Sequence, residues 1–157
     1  MIYLDNAATT ELDPEVLTKM LPYLTTEFGN PHSPHTFGRE AERAVERARA
    51  QVASLINASP EQIVFTHSAT DANHMVLDVF GRAIVSDMEH SSILHYDNAI
   101  IETSNRPWVF AGADPTLDLM SVMLVNNETG DVNDVKKIAG ICHDNGMVLH
   151  TDATAAA

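Results

Sequence analysis

Cysteine is almost missing from this chain. Cys142 stands alone, so no internal disulfide framework can form, and a reducing, cytoplasmic setting is expected. Positive charge is scarce as well: 9 Lys+Arg face 22 Asp+Glu, a formal net charge of −13. A surface with that balance repels phosphate backbones and anionic membranes, which makes nucleic acid and lipid poor partners. No apolar run approaches the roughly 20 residues that span a bilayer. The opening "MIYLDNAATT" has neither the basic start nor the apolar stretch of a secretory leader. Internal repeats and low-complexity tracts are absent too. What remains is an ordinary globular composition over 157 residues, expected as a single domain, 1–157, that buries roughly 70% of its unfolded surface.

Short apolar runs alternate with helical patterns. "DPEVLTKMLPYL" opens with Asp13 as N-cap and Pro14 at the first helical position. "HTFGREAERAVERARAQVASLI" is the clearest helix, with Ala41, Ala44, Val45, Ala48, Val52, Leu55 and Ile56 on one stripe. "IVFT" (63–66), "AIVS" (83–86), "WVFA" (108–111), "SVMLVN" (121–126) and "MVLHT" (147–151) read as buried strands. "ATDANHMVLDVF", "HSSILHYDNAI" and "VNDVKKIAGICHDNG" read as helices between them, the last ended by Gly146. Unalternating apolar strands in a β-α-β rhythm imply an α/β fold, a three-layer αβα arrangement around a mostly parallel sheet. The loop "TEFGNPHSPHTFG" (26–38) is dense in proline, glycine and histidine. It reads either as a functional loop or as a rigid connector between helices.

Polar clusters follow four of the strands. "THSATDAN" passes from strand to helix through small residues, where backbone N–H groups bind an anion or a side chain merely caps. "DMEHSS" puts His90 at a strand-to-helix junction, as a cap or as a ligand. "NNETG" supplies Asn126, Asn127 and Glu128, and is also a plain turn signal. "MVLHT" delivers Asp152. Together they meet along the carboxyl ends of parallel strands, the crevice where open α/β sheets bind ligands. A phosphate cradle, a histidine, an amide and a carboxylate suit a flat phosphorylated heterocycle.

In order, "YLDNAATT", "FGNPHSPHTFG", "IVFTHSATDAN", "MEHSSIL", "LVNNETG" and "LHTDAT" resemble the motifs of the cysteine desulfurases. These are class V aminotransferase relatives among the fold-type-I enzymes that use pyridoxal 5′-phosphate (PLP). The resemblance covers the N-terminal segment and part of the large PLP-binding domain. It implies that Ala69 and Thr70 hold the phosphate and that His90 stacks on the ring as the catalytic-site histidine. It further implies that Asn127 bonds the phenolic oxygen and that Asp152 pairs with the pyridine nitrogen. No metal is implied.

The departures carry as much information. Ser68 stands where the family has glycine, and Ala155 where it usually has glutamine. The Schiff-base lysine, the Ser and His that complete the phosphate cup, the sulfur-accepting cysteine and the small C-terminal domain have no counterpart here. Only Lys19, Lys136 and Lys137 are present. The expectation is a truncated cysteine desulfurase-like protein, keeping part of a PLP pocket but not competent alone to desulfurate L-cysteine. The alternative is a catalytically inactive binding, decoy or structural module that engages a desulfurase, its partners or other proteins. In the family's seven-stranded sheet "IVFT" would lie near "MVLHT" with neighbours missing. Direct pairing, a homo-oligomer or a protein partner is therefore expected to cover the open edge.

Overall fold

Residues 2–6, 8–80, 82–97, 99–102 and 117–156 are described by the computed structural model. Contacts divide the chain into two compact units, Met1–Phe65 and Thr66–Ala157.

The first unit is helical. Helix α1 (Pro14–Thr25) starts as its sequence demands, the Asp13 carboxylate accepting from the N–H groups of Glu15 at 2.7 Å and Val16 at 3.4 Å. Helix α2 (Thr36–Leu55) is capped by His35, whose Nδ1 accepts from the Gly38 N–H at 3.3 Å. Two glycines make the intervening loop compact. A Cβ at Gly38 would lie 2.1 Å from the Ser33 carbonyl oxygen, and one at Gly29 2.1 Å from that of Phe37. Phe28 and Phe37 stack across the same loop with centroids 6.0 Å apart. The expected stripe of α2 is present but scarcely covered: Ala41, Ala44 and Ala48 are half-buried, while Val45, Val52, Leu55 and Ile56 are exposed.

The segment "IVFT" corrects an expectation. It is not a strand, and Val64 and Phe65 are exposed. Its backbone is claimed locally: the Arg49 guanidinium donates to the Ile63 carbonyl and lies over the Phe65 ring, 5.1 Å from the centroid. That carbonyl is therefore engaged by a side chain and not by a neighbouring strand.

The second unit carries the sheet. Strands β1 (Ala83–Ser86), β2 (Ala99–Glu102), β3 (Leu119–Ser121) and β4 (Val148–His150) are parallel, in the spatial order β2-β1-β3-β4. Ile84 pairs with Met120 across the β1–β3 register, and Met120 with Leu149. Because successive side chains alternate between faces, this chain builds two cores. Ile84 and Met120 join Val122, Ile138, Cys142 and Met147 on the face covered by helix α5 (Val135–Asp144). Ala83, Val85 and Leu119 join Leu77 and Ile93 on the face covered by α3 (Ala69–Phe80) and α4 (Ser91–Leu94). That is the three-layer αβα arrangement, and it explains why the strands are apolar without alternation.

Two further readings need correction. "HSSILHYDNAI" is helical only over four residues and then becomes β2. The Ala99 N–H turns back onto the Tyr96 carbonyl at 3.0 Å, and the isoleucines that follow pair in register with Ile84 and Val85. "SVMLVN" is strand only to Ser121. Beyond it the chain stays beside the last strand through Val122 N–H to His150 O at 3.1 Å and Leu124 N–H to Asp152 O at 2.9 Å. "WVFA" lies outside the described residues. Gly146 does end α5, at φ 71°, the left-handed region open to glycine. Cys142 packs against Met120 in the core, and burial pushes its thiol up.

Leu119 is fully buried on the central face, whereas Val79 of α3 is 78% exposed. Urea unfolding is expected to show Leu119→Ala losing about 2–5 kcal/mol and Val79→Ala less than about 0.5 kcal/mol. Equal losses would contradict the assignment of the core.

Candidate functional site

The carboxyl ends of β1, β3 and β4 and the start of α3 meet in the second unit, and the polar residues gather there. Asp152 follows β4 and is only 8% exposed. Its Oδ2 accepts from Asn73 Nδ2 at 3.0 Å and its Oδ1 from the Thr154 N–H at 3.0 Å. Burial alone would raise this carboxyl. The bonds from Thr154 and Asn73, with the nearby His150, outweigh burial and hold it below the usual range. The group is therefore an ionised carboxylate at neutral pH.

Asn73 connects it to His90. The same Nδ2 donates to Ser92 Oγ at 3.1 Å, which lies 2.9 Å from His90 Nδ1. The Ser92 N–H donates to that Nδ1 at 3.2 Å, making His90 the N-cap of α4. A neutral His90 whose Nδ1 accepts carries its proton on Nε2. His74 Nε2 donates to the Ser92 carbonyl at 3.0 Å. Thr70, His74, His90, Ser91, Ser92 and His95 line a shallow pocket of about 240 Å³.

Ala69 and Thr70 are the exposed first residues of α3. Ser68 Oγ caps the helix by accepting from the Asp71 N–H at 3.1 Å, so the N–H groups of Ala69 and Thr70 have no partner inside the helix. Asn127 is exposed in the turn after β3, and the chain Asp152–Asn73–Ser92–His90 does not include it. Its neighbour Asn126 is buried and structural: Nδ2 donates to the Met88 carbonyl at 2.9 Å, and Oδ1 accepts from the N–H groups of Glu128 and Thr129.

Other residues here escaped the sequence reading. Glu89 is 4% exposed; its Oε1 accepts from Ser86 Oγ at 2.6 Å and from the Met123 N–H at 2.8 Å, and its Oε2 from Ser121 Oγ at 3.4 Å. Ser121 Oγ lies 2.9 Å from His150 Nδ1. Burial pushes Glu89 up from the ordinary glutamate value and His150 below the usual histidine value. Signals for them existed: Asn73 stands three residues after Thr70 on one helix, and His150 two before Asp152. Among the described residues, no group of three or more His, Cys, Asp or Glu side chains could hold a metal ion.

Comparison with known proteins gives one consistent result. The aminotransferase class-V family profile matches residues 2–157. Cysteine desulfurase IscS of Methylobacillus flagellatus is 40% identical over 182 residues, covering 99% of this chain and 44% of that protein. A NifS-like protein from Rickettsia africae superposes with a TM-score of 0.86 at 28% identity, over 98% of this chain and 48% of its own. A structure described as SspA in complex with cysteine superposes with a TM-score of 0.84 at 26% identity, over 96% of this chain and 50% of its own. The chain thus spans about half the length of the relatives it matches.

The buried carboxylate makes a checkable claim about stability. The lowered Asp152 contributes stability that is present above the ordinary aspartate range and lost as pH falls through its folded value. In Asp152→Asn the new amide opposes the Asn73 amide, donor against donor. That variant is expected to be less stable than native by about 1–3 kcal/mol at pH 7, with the gap closing as pH falls below the aspartate range. Urea midpoints from pH 7 downward measure it; a gap that does not narrow as pH falls below the ordinary aspartate value would contradict an ionised Asp152.

Proposed function

Because the chain belongs to the class-V aminotransferase family, we propose that it carries the ring- and phosphate-facing part of a PLP site of the cysteine desulfurase kind. The observation that supports this most directly is Asp152, a buried carboxylate held in place by Asn73 and Thr154. A carboxylate so placed fits a protonated pyridine nitrogen, and the donors at the start of α3 fit a phosphate. Asp152 would keep the proton on the ring nitrogen. His90, fixed as a helix cap, would cover one ring face. Ala69 and Thr70 would bind the phosphate with backbone N–H groups and the threonine hydroxyl, and Asn127 would donate to the phenolic oxygen. When bound, the cofactor supplies an electron sink that stabilises a carbanion on the substrate.

The chain's own residues do not complete that chemistry. Lys136 and Lys137 are exposed in the first turn of α5, Lys19 lies on α1, and none follows Asp152. Cys142 is buried in the core with a raised thiol, which is the wrong setting for a nucleophile. Desulfuration of L-cysteine therefore requires a lysine and a thiolate from outside these 157 residues. A cytoplasmic setting belongs to this proposal, and no described helix is long and apolar enough to cross a membrane.

A second reading, a module that engages other proteins or a second copy, is favoured by one observation. On α1, Leu17, Met20, Leu21 and Leu24 are all more than two-fifths exposed, an apolar face of the kind that marks an interaction surface.

Equilibrium dialysis with pyridoxal 5′-phosphate tests the first reading. Saturable, reversible uptake is expected, weakened at least tenfold in Asp152→Ala, a loss of about 1.4 kcal/mol or more. Unchanged uptake by the variant would refute the role of Asp152. One stoichiometric label fixed to the native chain by borohydride would refute the need for an outside lysine.

A further inference from the structure

Behind Asp152 sits a hydrogen-bond chain that the proposed cofactor contacts do not use. Ser121 Oγ lies between two titratable groups, 3.4 Å from Glu89 Oε2 and 2.9 Å from His150 Nδ1. A hydroxyl has one proton, so it donates to one neighbour and accepts from the other. The far oxygen of Glu89 is already engaged, since Oε1 accepts from Ser86 Oγ at 2.6 Å and the Met123 N–H at 2.8 Å. A proton on this carboxyl therefore sits on Oε2, facing Ser121.

Two self-consistent arrangements follow. With Glu89 ionised, Ser121 donates to Oε2, His150 donates from Nδ1 to Ser121, and the neutral imidazole leaves Nε2 bare. With Glu89 protonated, Oε2 donates to Ser121, Ser121 donates to His150 Nδ1, and the neutral imidazole carries its proton on Nε2. One proton reverses every bond in the chain, and the total number of hydrogen bonds is unchanged.

We propose that Glu89, Ser121 and His150 form a relay beside Asp152 in which the protonation of Glu89 selects the tautomer of His150. His150 and Asp152 are two residues apart on an extended segment, so both face the same side. The relay makes Glu89 a positioning residue for the carboxylate assigned above to the ring nitrogen, and in that respect it rests on the cofactor reading. Reversing the imidazole reverses the dipole that Asp152 feels. Among the described residues, Asp152 is the charged group that acts on Glu89 and on His150 alike. Burial and Asp152 both favour the neutral form of Glu89 and outweigh the donors from Ser86, Met123 and Ser121, so the reversal is displaced upward from an ordinary glutamate.

Two-bond proton–nitrogen correlation NMR on the full chain with 15N-labelled histidine reads the tautomer directly, His150 being assigned by its loss in His150→Gln. As pH is raised the native ring is expected to pass from the Nε2–H to the Nδ1–H form when Glu89 ionises, and the variants are compared with native protein at the alkaline end of that titration. In Glu89→Gln the amide Oε1 still accepts from Ser86 and Met123, while its N–H₂ donates to Ser121. That variant is expected to hold the Nε2–H form, reversing the tautomer ratio at least tenfold. Where Glu89→Gln fails to fold, Ser121→Ala serves: its His150 is expected to lose the Nδ1–H preference. The same tautomer in native protein and Glu89→Gln, or an Nδ1–H preference surviving in Ser121→Ala, would overturn the relay. A merely structural Glu89 would alter unfolding midpoints without reversing the ring. Dialysis against pyridoxine 5′-phosphate, which lacks the aldehyde, separates the two ideas. No uptake by native protein would overturn the cofactor reading, while the NMR comparison still decides the relay.

Discussion

The second unit is organised around a carboxylate that gives up water for two fixed donors. Asp152 and Asn73 are 79 residues apart in sequence and 3.0 Å apart in the fold, so their bond exists only if α3 packs on the sheet that positions β4. Each of the two apolar faces contributes to that condition. Leu77 anchors α3 on one side, while Ile138 and Cys142 anchor α5, and with it the approach to β4, on the other. Leaving either partner unpaired in that setting would cost about 1–3 kcal/mol, more for the charged one. The site is thus a consequence of core packing.

Asp152 and Glu89 are both buried carboxyl groups, yet their environments push them apart. Asp152 receives a backbone and an amide donor and has a histidine beside it, so the charged form prevails. Glu89 receives three donors, but deeper burial and the proximity of Asp152 prevail over them. Shifts in opposite directions lessen the mutual repulsion of two adjacent acids. The loop carrying His90 is thereby fastened to the end of β3 through the Met123 N–H, and the histidine cap is held by structure on both sides.

Much of this was legible in the residues, and the failures share a cause. Asp13 before Pro14, the small residues before α3 and Gly146 after α5 announce helix ends through local chemistry, and those ends were found. Apolar runs announce burial but not the destination of their backbone bonds. "IVFT" was read as a strand because nothing in its own letters shows that Arg49, fourteen positions earlier, takes the Ile63 carbonyl. "HSSILHYDNAI" carried a helix start and a strand in one run, and only its register with β1 separates them. At the site, His90 and Asp152 stand at strand ends and were named. Glu89, Ser121 and Asn73 matter through distances of 19 to 79 positions in sequence, which no local pattern reports.

What the chain supplies is charge and orientation. It presents a carboxylate, a histidine held as a helix cap and free N–H groups at a helix start, all on rigid elements, and these are the parts of a site that must be preorganised. It does not place a nucleophile among them. Its lysines are exposed on helices α1 and α5, and its one thiol is packed against Met120 with burial favouring the protonated form. Orientation and nucleophilicity are separable demands: the first needs a packed core behind it, the second needs a desolvated but reachable amine or sulfur. The described residues meet the first demand through two cores and a hydrogen-bond chain that runs from buried Asp152 through Asn73 and Ser92 to exposed His90.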